Sequence, residues 1–191
     1  MNHEINEYYN QLSLAYKSDE WFYRQNEDRA HNAAIMLVML ENATEISMFC
    51  GEMSVFRKRF YEYINQAEPG LGDELRNSIS EALLRFISDP NKKITIILED
   101  FSDVYLSDLI IPKDKFLYSP SVKILSLPDD YIGKESIFHV TFTENEHMVR
   151  LEINKDSHEA ICKIGGSLEQ APKTLANSFH ALLKRALPLP A

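Results

Sequence analysis

The chain is short of several things, and each shortage removes a class of explanation. Its only cysteines, Cys50 and Cys162, stand far apart among 191 residues. Zinc-type sites need cysteine pairs at short spacing and disulfide scaffolds need more of them, so two buried free thiols are expected instead. Cations are outnumbered: 20 Lys and Arg face 29 Asp and Glu, a formal charge of −9. That balance denies the chain an overall electrostatic grip on nucleic acid or on an anionic membrane, both of which need clustered Lys and Arg. Apolar runs are short. The longest, Ala33 to Leu40, falls far below the ~20 residues of a membrane span. MNHEINEYYNQ at the N-terminus has no basic stretch followed by an apolar core, so no signal peptide is expected and the cytoplasm is the expected compartment. His-Glu-x-x-His, Gly-x-Ser-x-Gly and a glycine-rich phosphate loop are all missing, and the six histidines form no metal set. Neither a metal nor a cofactor is expected.

What is present fits a globular α/β chain, 45% hydrophobic and 26% charged. Residues 1–43 read as an N-terminal helical segment packed on the core, and 44–191 as the α/β domain. Ile5, Tyr8, Tyr9, Leu12 and Tyr16 have helical spacing. The aromatic cluster Trp21, Phe22 and Tyr23 is read as opening a second helix that runs to Leu40, with an apolar face wide enough for burial on more than one side. Glu45–Cys50 reads as a strand, Ser54 as the cap of a helix over Val55–Ile64, and 73–88 as a further helix. Lys93–Leu98 is the best strand, followed by the acidic pair Glu99-Asp100. Four strands then succeed one another at 122–127, 137–142, 148–153 and 159–164, with hairpin loops at 143–147 and 155–157. A last helix spans 168–186. This order implies one mixed, largely antiparallel sheet flanked by helices.

Few residues suggest chemistry. Phe56-Arg-Lys-Arg-Phe60 interleaves cations with aromatics, but on a helix Phe56, Phe60 and Tyr63 face the core while Arg57, Lys58 and Arg59 form a solvated back. His147 and His158 fall in or beside turns, and His180 reads as a core-edge residue. His139 stands apart. Alternation along 137–142 puts Phe138, Val140 and Phe142 on one face and His139 with Thr141 on the other. Across the hairpin, Arg150 and Glu152 join that second face. An imidazole oriented by a carboxylate, with an arginine to hold an anion, can serve as base or nucleophile. Cross-strand pairing of polar residues on a half-exposed face is the simpler alternative.

The run FHVTFTENEHMVRLEI, followed by HEAICKIGGSLEQAPKTLANSFHALLKRA, resembles a phospholipase D-like half-domain. In texture the resemblance covers about residues 137–186, and in element order 44–186. It makes His139 the histidine of the family's His-x-Lys-x4-Asp motif. Thr141 stands where that motif has lysine and Glu146 where it has aspartate. The resemblance implies a histidine attacking phosphorus while lysines neutralise the oxygens. Losing such a cation removes several kcal/mol of transition-state stabilisation. It also implies pairing of two motifs, hence a homodimer. Small degenerate members of such families resemble components of mobile-element or phage-related systems. The expectation is a non-catalytic interaction or regulatory protein with Trp21, Phe22 and Tyr23 as its partner surface. The alternative is a phosphodiesterase or nuclease with an altered single-motif site built on His139, Glu152 and Arg150 and acting as a homodimer.

Overall fold

The computed structural model of the chain describes residues 2–26, 28–154, 159–165 and 172–189. Helix α1 (His3–Ser18) begins at Asn2, whose side chain accepts from the Ile5 N–H, and buries Ile5, Tyr8, Leu12 and Ala15 at helical spacing. It ends at Asp19, which adopts a left-handed conformation and donates its N–H to the Ala15 carbonyl. The sequence reading takes Trp21, Phe22 and Tyr23 into a helix; Phe22 and Tyr23 open strand β1 (Phe22–Asn26) instead, and Trp21 immediately precedes it. Two caps explain the difference. Asp19 stops α1, and the Asp28 carboxylate accepts from the His31 N–H at 2.8 Å and so starts α2 (Arg29–Asn42). The aromatic stretch between those caps is β-prone and finds a strand to pair with. Every residue of α2 from Ala30 to Leu40 is buried, and the helix packs against both its neighbour α1 and helix α4 described below.

Strand β2 (Glu45–Cys50) leads through a single 3-10 turn at Ser54–Phe56 into α3 (Lys58–Ala67) and α4 (Leu71–Ser88). Arg57, between the turn and α3, is extended and bridges to Leu109, which breaks the continuous helix expected from Val55. Next come β3 (Lys93–Leu98), two short helices α5 (Asp103–Ser107) and α6 (Lys113–Leu117), and β4 (Val122–Ser126). The remainder is β5 (Val140–Thr143), β6 (Met148–Asn154), β7 (Glu159–Ile164), α7 (Pro172–Leu183) and β8 (Leu187–Pro188). The expected loop at 155–157 and the expected helix start at 168 lie outside the described residues.

All eight strands form one sheet in the order β1-β7-β6-β5-β2-β3-β4-β8. Strands β2, β3 and β4 are parallel, joined by helical crossovers, while the other pairings are antiparallel. This is the mixed sheet that the element order implies. By pairing with β7, β1 ties the first 43 residues into that same sheet. One face carries Ile46, Met48, Ile94, Ile96, Leu98, Met148 and Cys162 and is covered by α1 to α4. The other carries Phe49, Ile97, Leu125, Val140, Phe142 and Val149 and packs on Phe179 and Leu182 of α7. Among the described residues, no helix is long and apolar enough to cross a membrane.

Candidate functional site

Strand β2 is parallel to β3 and antiparallel to β5, so the C-terminal ends of β2 and β3 meet the start of β5 at one rim of the sheet. Open α/β sheets place their ligand crevices at such rims. His139 lies immediately before β5, and its carbonyl accepts from the Glu152 N–H at 2.9 Å. That register sets the two side chains beside each other, and Thr141 faces Arg150 one step along.

The side chains interlock. His139 Nδ1 is 2.8 Å from Glu152 Oε2, and Nε2 is 2.6 Å from Glu99 Oε2. A neutral imidazole has a single N–H and so donates to one of these two carboxylates at a time. The Glu152 carboxylate also meets Arg150 Nη2 at 3.4 Å, and Arg150 Nε donates to Asn32 Oδ1 of α2 at 2.9 Å. All three ionisable side chains of the 139–150–152 set are largely buried. The ring is seated against the chain turn after β2: a Cβ on Gly51 would stand 3.2 Å from His139 Cε1. Phe49 meets it edge-on, with ring centroids 5.7 Å apart. Beside the network, burial pushes the Cys50 thiol up to about 12, and the charges of Glu152 and Glu99 push in the same direction. Burial does the same to Cys162. Both are free thiols, Cys162 buried and Cys50 half-buried.

Above His139 opens a cavity of about 380 Å³, lined by His139, Glu152, Gly51 and Glu52 on one side and by Arg29, Arg57, Arg59, Phe60 and Tyr63 on the other. Its cations arrive from outside the hairpin and all are arginines. Arg29 stacks on the Tyr63 ring, and Arg59 donates to the Tyr63 hydroxyl at 2.7 Å. Arg57 is not on a solvated back. It is 4% exposed, paired with Glu52, 3.6 Å from Asp108 and stacked on Tyr105. It is extended because the helix starts one residue later, so helical periodicity misplaces it.

Glu146, at the position of the family aspartate, turns elsewhere: its Oε1 accepts from the Ala176 N–H of α7, and desolvation raises its carboxyl above the usual range. Glu99 takes the second position at His139 that sequence spacing does not reveal. Its signal is its place, directly after the strongest parallel strand. His147 is half-buried rather than solvated, stacked edge-on against Tyr16 with Nε2 donating to the Tyr16 carbonyl at 2.9 Å. His180, expected at the core edge, is exposed, and His158 lies outside the described residues. Trp21 and Tyr23 are 67% and 53% exposed and stack on each other at the β1 edge, whereas Phe22 packs inward on Tyr8. Among the described residues no cluster of His, Cys, Asp and Glu could hold a metal ion.

No protein-family model and no curated protein matches the sequence. Among solved structures, NucT from Helicobacter pylori is similar over 89% of this chain and 100% of its own, with a TM-score of 0.51 and 12% identity. That likeness extends to the fold: a phospholipase D-like α/β sheet with flanking helices.

Proposed function

Starting from a phospholipase D-like sheet, we propose that the chain is a non-catalytic interaction or regulatory protein that acts as a homodimer or on a protein partner. One observation carries the reading: both nitrogens of His139 are already engaged by carboxylates, Glu152 on Nδ1 and Glu99 on Nε2. An attacking imidazole needs one nitrogen with a free lone pair aimed at the substrate. Here a carboxylate stands 2.6 Å away in the place a phosphoryl group would take, and its charge repels such a group. The buried His139, Glu152 and Arg150 then act as a polar network that holds β5, β6 and α2 together. The partner surface is the edge of β1, the terminal strand of the sheet, where Trp21 and Tyr23 leave a large aromatic area in solvent.

A second reading, a phosphodiesterase built on His139 with Glu152 and Arg150, draws support from the cavity itself. Arg29, Arg57 and Arg59 supply cations where the family motif would use lysine.

Association tests the partner surface at the edge of β1, and turnover that depends on His139 distinguishes the second reading. Sedimentation equilibrium is expected to give a dimer for the wild type and for His139→Ala, and a monomer for the double variant Trp21→Ala, Tyr23→Ala. A wild-type monomer at high concentration contradicts the homodimer, and a dimer untouched by loss of both aromatics contradicts the β1 edge as its surface.

A further inference from the structure

We propose that Glu99 is an autoinhibitory side chain: its carboxylate masks a His139 imidazole that is otherwise presented to the cavity with Nε2 foremost. The inference rests on the non-catalytic reading above and supplies its cause. Glu152 covers Nδ1, so Nε2 is the one ring position that can face a ligand, and Glu99 Oε2 occupies it. Gly51 contributes no side chain next to Cε1, and the cavity that His139 lines opens toward Arg29, Arg59 and Tyr63.

The mask is built to move without the sheet. The Glu99 backbone is pinned, its N–H bonded to the Cys50 carbonyl at 2.9 Å, so opening needs rotation of the side chain alone. Its neighbour Asp100 is paired with Lys134 from the connection between β4 and β5. That connection continues through Ile137 directly into His139, so one salt bridge joins the residue after the mask to the segment before the masked ring. Lys134 therefore latches the closed arrangement. Breaking the latch frees the Asp100 carboxylate and loosens the segment before β5, which eases rotation of the Glu99 side chain off Nε2.

Diethyl pyrocarbonate, which acylates accessible imidazole nitrogens, reads the mask directly when its products are quantified peptide by peptide. A site that is open only in a minor state reacts in proportion to that state's population, so Glu99→Ala is expected to speed acylation of His139 about tenfold or more relative to the exposed His3 in the same chain. Glu99→Gln, which keeps the side-chain shape, is expected to show a smaller acceleration, and Lys134→Ala an intermediate one. Wild-type reactivity at His139 in a folded Glu99→Ala or Glu99→Gln protein would overturn the mask, and no change in Lys134→Ala would overturn the latch. Failure of the non-catalytic reading looks different: His139-dependent turnover by the wild type with Glu99 in place.

Discussion

Glu152→Ala is expected to destabilise the protein by about 3 kcal/mol, because it removes one partner from a buried set of charges and strands the others. Glu152 accepts from His139 and pairs with Arg150, and its side chain is only 9% exposed. Without it, Arg150 keeps Asn32 but loses its nearest counter-charge on β6, and Nδ1 of His139 faces an empty space. Glu152→Gln preserves the shape and one acceptor oxygen, so about half that loss is expected. Urea unfolding, followed by fluorescence and by circular dichroism, measures both. A change below about 0.5 kcal/mol for the alanine variant contradicts the claim that the network holds the hairpin to α2.

Gly72→Ala is expected to be nearly as damaging for a different reason. At Gly72 the first turn of α4 passes so close to α3 that a Cβ would sit 2.1 Å from the Tyr61 carbonyl oxygen and 2.7 Å from Asn65 Oδ1. Asn65 could swing away, but a backbone carbonyl cannot. The two helices would have to separate, disturbing Tyr61, whose buried hydroxyl donates to the Val55 carbonyl at 2.7 Å. Overpacking of this kind costs about 2–3 kcal/mol. For a chain of this size that is roughly 5–10 °C in Tm. Gly72→Ala within 1 °C of wild type by calorimetry would mean that α3 and α4 are not held as described.

The chain is legible in its sequence to different degrees. The strands at Glu45–Cys50, Lys93–Leu98 and Glu159–Ile164 are marked by β-branched, apolar residues and by breaks, and they appear with the expected bounds. Period-two alternation was enough to set His139, Arg150 and Glu152 on one side, since antiparallel register within a hairpin is a local property. Glu99 was not legible as a member of the site. It reaches His139 across forty residues of chain, through a parallel pairing of β3 with β2 that no local pattern encodes. Arg57 was misplaced for a related reason: its neighbours have helical spacing, but the backbone there bridges to Leu109. Trp21 to Tyr23 illustrate the weakness of aromatic clusters as helix signals. Their conformation is set by caps on either side and by the open edge of β7.

The cavity adds a constraint of its own. Four arginines, Arg29, Arg57, Arg59 and Arg150, surround or support it, yet Glu52, Glu99 and Glu152 stand among them. Arg57 answers to Glu52 and Asp108, and Arg150 to Glu152. Much of the positive charge is thus spent inside the protein, which agrees with a structural polar network more than with a site awaiting a multiply charged substrate.

With a carboxylate on each ring nitrogen, His139 is expected not to act as a nucleophile. Hydrolysis of bis(p-nitrophenyl) phosphate by purified wild-type protein, run beside His139→Ala, tests it most directly. Nitrophenol is expected to be released at the buffer rate in both samples. Turnover by the wild type that disappears in His139→Ala would contradict it.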